Sequence, residues 1–386
     1  MAINSRIPLY QEMERLRGRP LLVYVTSERN GSQGAIAGDV VSEILSQLQI
    51  LPNGTKKLDL LLVSNGGDPT VAWRIVSLIR ERVEEFSVIV PQAAFSAATL
   101  IALGADEIVM HPNGNLGPTD VQIQGRKRGG TPTDTVSFGF EDLSAFLKFV
   151  KDQVGLTDQS QIQATFAKFC DEVGTVAVGV AARSSRLGVL MGEKLLQLHM
   201  KDDGNKQKAR AISEKLTRDF FHHGYPLSRT EAKDIGLKVA DRNNQVEDLI
   251  WRIWKQISEE LLLREPFVPL HALVKDPTAA PLFALTPGAP VAASTAYENI
   301  HAIVESSRLA SRFITAGVVA GIKVPPNPVQ VQVAPHTQKW IDVWPPSSPT
   351  NVTTPGTGTK KVQATKKRAS KKRASKKVSK ASVAKR

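Results

Sequence analysis

The stretch Leu58-Asp59-Leu60-Leu61-Leu62-Val63, followed by Ser64-Asn65-Gly66-Gly67-Asp68, decides the fold. A short, almost unbroken apolar run closed by turn residues is the pattern of a strand buried on both faces in a parallel sheet. Beyond the turn, Val71, Ile75, Ile79 and Val83 recur every four residues, which predicts an amphipathic helix from Pro69 to Glu84 with Asp68 as its N-cap. Two consecutive residues without Cβ let a ligand approach the backbone, and N–H groups beside a helix N-terminus favour negative charge. A second unit repeats the design: Phe86 to Val90 reads as a strand, Pro91 to Ala94 as a turn, and Ser96 to Gly104 as a short helix of Ala, Leu, Ile and Thr that must be buried. Ser96 at its first turn reads in two ways. It is an ordinary N-cap, or it is a nucleophile with Gly66, Gly67 and Ala97 as backbone donors to an oxyanion.

Glu107 to Met110 adds another strand, and His111 to Asp120 leaves it as a turn-rich loop. The succession Asn65-Gly66-Gly67-Asp68, Phe95-Ser96-Ala97-Ala98-Thr99, Gly104 to Met110 and Leu116-Gly117-Pro118-Thr119-Asp120 resembles the serine dehydrogenase proteinase family, relatives of Clp protease and signal-peptide peptidase A within the crotonase-like fold. His223-Gly224-Tyr225-Pro226-Leu227-Ser228 with Glu231 to Leu237 is similar to that family's closing motif, and Arg17 to Thr26 to its first strand. The likeness runs through residues 15–240, and motifs in the right order are more specific than any one alone. It implies a serine hydrolase, most specifically a peptidase acting on peptide or protein substrates, with Ser96 as nucleophile and Gly66, Gly67 and Ala97 at the oxyanion positions.

The base does not carry over directly. Where Clp protease keeps its histidine this chain has Thr119-Asp120, and where Clp keeps its aspartate it offers His222 and His223. The expectation is that the two have traded places, with His223 deprotonating Ser96 and Asp120 orienting the imidazole, because a triad is defined by geometry rather than chain order. The rival is a lysine base, as in signal-peptide peptidase A: Lys127, Lys148 and Lys151 are available. Lys148 falls in a predicted helix from Glu141 to Val154, where it points to water rather than into the desolvated setting a catalytic lysine needs. His111 is a lesser candidate. Ala98 stands where the family usually has glycine, and Gln124 to Pro132 reads as a charged, glycine-rich insertion. Either departure fits a member without peptidase activity, so the second reading is a catalytically inactive crotonase-like scaffold; acyl-CoA chemistry in the same hole is a third.

With 386 residues and 41% hydrophobic content, the chain has enough apolar material for one large or two modest cores. Its single cysteine, Cys170, rules out an internal disulfide and fits a reducing, cytoplasmic setting. Neither a signal-peptide pattern at Met1 to Arg19 nor a run of membrane-span length is read, and no metal spacing or cofactor motif is found; none is expected. The net charge of +13 is localised. Thirteen Lys and Arg lie between Lys360 and Arg386 with no Asp or Glu, so the other 37 basic and 37 acidic residues cancel.

That tail repeats a pentapeptide, Lys366-Lys367-Arg368-Ala369-Ser370 and Lys371-Lys372-Arg373-Ala374-Ser375, and lacks aromatic residues. It is expected to be disordered and to bind nucleic-acid phosphates without reading sequence. The expected organisation is α/β: a Clp/crotonase-like core of strand-turn-helix units around a mostly parallel sheet over 1–243, a helical extension over 244–322, a proline-rich linker over 323–359 and the basic tail over 360–386. The extension is predicted to hold one helix from Gln245 to Arg264 and another near Ala296 to Gly317. The resemblance also implies a homo-oligomer.

Overall fold

The computed structural model describes residues 3–126, 135–220, 222–284, 289–325 and 327–345. Among these, α1 (Ile7–Arg17) leads into β1 (Leu21–Thr26), α2 (Val40–Gln49), β2 (Lys57–Val63), α3 (Pro69–Arg82) and β3 (Glu85–Val90). A two-residue strand β4 (Ala93–Ala94) precedes α4 (Ala97–Leu103), β5 (Glu107–Met110) and a second short strand β6 (Asn115–Leu116). The hairpin β7 (Ile123–Arg126) and β8 (Thr135–Phe138) opens a helical layer, α5 (Phe140–Asp152), α6 (Gln159–Val173), α7 (Thr175–Leu196) and α8 (Asp203–Arg218). The chain then forms α9 (Arg229–Asp234), α10 (Asn244–Glu260), α11 (Pro269–Lys275), β9 (Val291–Glu305), β10 (Ala310–Lys323) and β11 (Gln330–Trp344).

Strands β1, β2, β3 and β5 pair in parallel, in that order, as the apolar runs predict. Leu58, Leu60, Leu62, Phe86, Val88 and Val90 turn to one face, against α2, α3 and α4; Leu61, Val63, Ile89 and Val109 turn to the other, against α1 and α10. Burial on both faces is why these strands read as continuous apolar runs rather than alternations. All seven residues of α4 are buried, in keeping with its composition. Asp68 caps α3 through a 2.7 Å bond from Thr70 N–H.

Beyond β1 the sheet departs from expectation. The segment read as a helix near Ala296 to Gly317 is the antiparallel pair β9 and β10, and the segment read as a proline-rich linker contains β11. Alanines at 292, 293, 296 and 302 imitate helical composition, but Thr295, Ile300, Ile303, Val304, Ile314, Thr315, Val318 and Val319 are β-branched, and exposure alternates strictly from Val291 to Glu298. Ser306 then makes a hairpin corner, its N–H donating to Leu309 O at 2.8 Å and its hydroxyl accepting from Arg308 N–H at 3.1 Å. Pro335 is tolerated because β11 is the edge strand and the ladder shifts register opposite it, between Ala316 and Gly317. Residues expected as a helical extension and a linker therefore supply three strands to the same sheet as the core. Among the described residues only α10, the short α11 and a 3-10 helix (Pro277–Phe283) are helical there, and the described residues form one compact unit.

One buried polar cluster fastens this arrangement. Arg6, fully buried, donates from Nε and Nη2 to the two oxygens of Glu305 at 2.9 Å each, and also meets Glu260 and Tyr10. It joins the entry to α1, the end of α10 and the end of β9. No helix of the described residues is long and apolar enough to cross a membrane. The basic tail, with Lys366, Lys367, Arg368, Lys371, Lys372 and Arg373, lies outside the described residues, as does Lys127.

Candidate active site

The site grows from the chain's exits at the C-terminal ends of β2 and β3. Ser64 leaves β2 and pairs with the β4 segment, its N–H donating to Ala93 O at 2.9 Å and its carbonyl accepting from Phe95 N–H at 2.9 Å. On the opposite flank, Gly66 O accepts from Ile36 N–H at 2.8 Å and Ile36 O from Asp68 N–H at 2.9 Å. A trans peptide points its carbonyl and its N–H in opposite directions. With Gly66 O held on the Ile36 side, the N–H of Gly67 points away from Ile36.

Both glycines adopt conformations that L residues rarely reach, with φ of 109° at Gly66 and 151° at Gly67. Their surroundings differ. A Cβ on Gly66 would stand 2.7 Å from Ser96 Cβ and 2.8 Å from Phe95 O, whereas one on Gly67 would stand 2.2 Å from Ile36 O. Gly66 is buried and its N–H is already used, donating to Ser64 Oγ at 3.0 Å. Of the three donors expected from sequence, Gly66 is therefore internally satisfied. Gly67, which is exposed, and Ala97, the first residue of α4, donate to no other group among the described residues.

Ser96 is not a cap. It has φ 52° and ψ −116°, a strained conformation for a residue with a Cβ, and its side chain makes no capping bond. Strain of this kind costs about 1–3 kcal/mol and persists where the surroundings over-determine it. Here they do: Ala98 N–H and Leu100 N–H take the carbonyls of Phe95 and Ser96, at 2.9 and 3.1 Å, and α4 is packed on every side. A hydroxyl held on a sharp strand-to-helix turn, partly exposed and without a hydrogen-bond partner among the described residues, is free for chemistry.

The loop after β5 is welded to the same helix. Thr99 Oγ1 lies 2.7 Å from Ala94 O and 2.8 Å from Gly117 O, and accepts from Gly117 N–H at 3.0 Å. Gly117 has no Cβ to obstruct the Phe95 ring, which would lie 2.8 Å from it. Leu116 and Leu227 exchange backbone hydrogen bonds of 3.0 and 2.8 Å, and Thr119 N–H donates to Leu216 O at 3.0 Å. These tethers bring Asp120 beside the loop that follows α8, although 103 residues separate Asp120 from His223. His223 Nδ1 and Asp120 Oδ1 stand 2.8 Å apart. Gln122 Nε2 donates to the other carboxylate oxygen at 2.8 Å.

The pair's electrostatics follow. Although burial works to raise the Asp120 pKa, the hydrogen bonds from His223 and Gln122 hold it below the usual carboxylate range. The bond to Asp120 raises the His223 pKa above the ordinary imidazole value, against a smaller opposing effect of burial. An ionised carboxylate only accepts, so Nδ1 carries a proton and Nε2 is left with a lone pair when the ring is neutral. The pair borders a cleft of about 240 Å³ lined by Pro118, Asp120, Glu141, Lys148, Phe220 and His223 among others. Ser96 Oγ and His223 form no direct hydrogen bond.

The remaining candidates sort by environment. Lys148 lines the cleft and is exposed. His222 accepts from Gly224 N–H at 3.1 Å and is exposed, and His111 stacks on Trp251 with ring centroids 5.3 Å apart. Ser64, Thr99 and Gln122 escape sequence reasoning, since a small polar residue beside a turn carries the same signal whether or not it braces a site.

Two curated relatives from Methanocaldococcus jannaschii are similar: the uncharacterised protein MJ0137, 28% identical over 64% of this chain and 71% of its own, and the uncharacterised protein MJ1495, 27% identical over 61% and 72%. Among solved structures, a variant of the 1510-N membrane-bound stomatin-specific protease is 16% identical, covering 59% of this chain and 82% of that one with a TM-score of 0.36. A ClpP1 variant from Listeria monocytogenes is 15% identical, covering 61% and 99% with a TM-score of 0.30. The model of the ClpP-like SDH-type serine proteinases matches residues 36–129, a span that contains Gly66, Gly67, Ser96, Ala97 and Asp120 and stops short of His223. Over that span, which carries the glycine corner and the strained serine, the chain is similar to the ClpP-like SDH-type serine proteinases.

Proposed function

We propose that the chain is a serine peptidase working through an acyl-enzyme at Ser96. The observation that carries this reading is the 2.8 Å bond between Asp120 and His223, two residues distant in sequence, with Asp120 on the loop whose Gly117 is hydrogen-bonded to Thr99 of the strained serine's own helix. A serine hydroxyl is a weak nucleophile without a base, and this pair is a base with its orienting carboxylate. Neutral His223 takes the Ser96 proton at Nε2 as Oγ bonds to the carbonyl carbon of the scissile peptide. The carbonyl oxygen becomes an anion stabilised by Gly67 N–H and Ala97 N–H. Collapse breaks the C–N bond, the imidazolium returns its proton to the leaving amine, and water repeats the sequence to release the acid and regenerate Ser96. The same reading gives the basic tail the task of holding the enzyme near nucleic acid by phosphate contacts.

A fluorophosphonate probe tests the chemistry, because it reacts with an activated serine and needs no known substrate. Labelling is expected on Ser96, lost in Ser96→Ala, slowed by at least about a hundredfold in His223→Ala, and changed less than about twofold in Lys148→Gln. An unlabelled parent protein, or labelling that survives Ser96→Ala, refutes the reading. Loss of labelling in Lys148→Gln with His223→Ala unaffected would move the role of base to the lysine.

A further inference from the structure

The glycine corner poses a mechanical problem. Two adjacent glycines at φ 109° and 151° have wide conformational freedom, yet a donor aimed at a developing charge is useful only if it is fixed before the charge appears. Three hydrogen bonds hold the corner. Two are backbone to backbone, Ile36 N–H to Gly66 O and Asp68 N–H to Ile36 O. The third is the bond from Gly66 N–H to Ser64 Oγ, and Ser64 is the one residue whose side chain hydrogen-bonds the corner's own peptides among the described residues. Ser64 is completely buried, so it is neither a nucleophile nor a ligand for anything in solvent. Behind it, Thr26 Oγ1, also buried, donates to Ser64 Oγ at 2.8 Å. With both acceptor positions used, the Ser64 proton is left to point toward Gly66 O at 3.4 Å.

We propose that Ser64, braced by Thr26, is a positioning residue for the oxyanion site: its hydroxyl captures Gly66 N–H, fixes the peptide planes on either side of Gly66, and so keeps the next N–H, that of Gly67, aimed at the Ser96 side. The inference rests on the peptidase reading for its catalytic consequence, but its structural half stands alone. Ser64 touches neither substrate nor reacting atoms. Its loss leaves the nucleophile and base intact while loosening the donor, which lowers turnover at each working site rather than the number of sites.

The test uses the full chain with Ser64→Ala, Thr26→Val and Thr26→Ser. Working sites are counted by fluorophosphonate titration, the acylation rate per titrated site is measured, and amide hydrogen exchange is followed across residues 64–67. Ser64→Ala is expected to lower the rate per site by about 10- to 100-fold, less than deletion of a whole oxyanion donor, while the Gly66 amide exchanges at least about tenfold faster. Thr26→Val, which removes only the brace, is expected to give a smaller loss of about three- to tenfold, and Thr26→Ser, which keeps the hydroxyl, to restore the parental rate. A merely structural role would reduce the count of titratable sites and leave the rate at each one unchanged. A per-site rate within about twofold of the parent in Ser64→Ala, or unchanged exchange at Gly66, overturns the proposal. Should Ser64→Ala not fold, the contrast between Thr26→Val and Thr26→Ser decides. If the parent itself does not label, the peptidase reading fails, and the exchange measurement still decides whether Ser64 fixes the corner.

Discussion

Replacing Gly66 by alanine brings Ser96 and the corner into direct conflict. The new Cβ would stand 2.7 Å from Ser96 Cβ, 2.8 Å from Phe95 O and 3.2 Å from Ala97 N, so no flexible side-chain tip can yield; backbone must. Carbon atoms rest comfortably at about 3.5–4.0 Å, and relief therefore demands a displacement of about 1 Å between Ser96 and the corner. A misplacement of that size costs about a hundredfold in rate. The stability cost has two parts, about 1–3 kcal/mol for a non-glycine residue at φ 109° and about 1–3 kcal/mol for overpacking. At roughly 2 °C per kcal/mol for a domain this large, the melting temperature should fall by about 4–12 °C. Gly54→Ala is the control: Gly54 also has positive φ, 77°, but a Cβ there meets nothing within 4 Å. It carries the conformational cost of about 1–2 kcal/mol without the clash, so its melting point should fall less and its labelling rate should not change. The assay is fluorophosphonate labelling of Ser96 beside thermal unfolding for both variants. If Gly66→Ala labels at more than about a third of the parental rate, the corner and the serine are not coupled through this contact.

In the proposed reaction the Asp120–His223 pair sets the pH profile. The base works only when neutral and its pKa is raised, so the acid limb of kcat/KM should lie above the ordinary imidazole value of about 6.5; Asp120→Asn should move it down and reduce the rate by up to about 10⁴-fold. A parental limb at or below that of Asp120→Asn would contradict the assigned roles. The same pair gives a stability window with two opposite edges. His223, raised, contributes fully below about 6.5 and loses its contribution as pH rises through its folded value, while Asp120, depressed, contributes above about 3.9 and loses it as pH falls through its folded value. Unfolding curves of parent and His223→Ala across that range should diverge most between those limits. For the tail, truncation after Thr359 removes thirteen positive charges and should abolish most salt-sensitive retention of the protein on DNA or RNA, with the parent's binding falling steeply as salt rises. Retention that persists in the truncated protein would assign nucleic-acid binding elsewhere.

What was legible in the sequence was whatever the backbone period or a missing Cβ dictates. Strands buried on both faces announce themselves as apolar runs, and α3 by its fourfold spacing; a glycine pair at a strand exit marks a corner. The partnership of His223 with Asp120 was visible only through motif order, because nothing local in either segment says that Leu116 and Leu227 will pair and carry the two side chains together. The misreading of β9 and β10 has the opposite origin. Alanine serves a helix surface and a close-packed sheet equally well, and the β-branched residues between the alanines held the better clue. The corner shows the limit most sharply. In sequence Gly66 and Gly67 are two identical letters and were given one role, yet their neighbours divide the work. Gly66 lacks a side chain because Ser96 and Phe95 occupy the space, and its N–H belongs to Ser64; Gly67 lacks one because Ile36 crosses behind it, and its N–H is left open on the other side. Which N–H of the pair is left open is thus decided by residues 36 and 64: Ile36 holds the Gly66 carbonyl, and the Ser64 hydroxyl takes the Gly66 N–H.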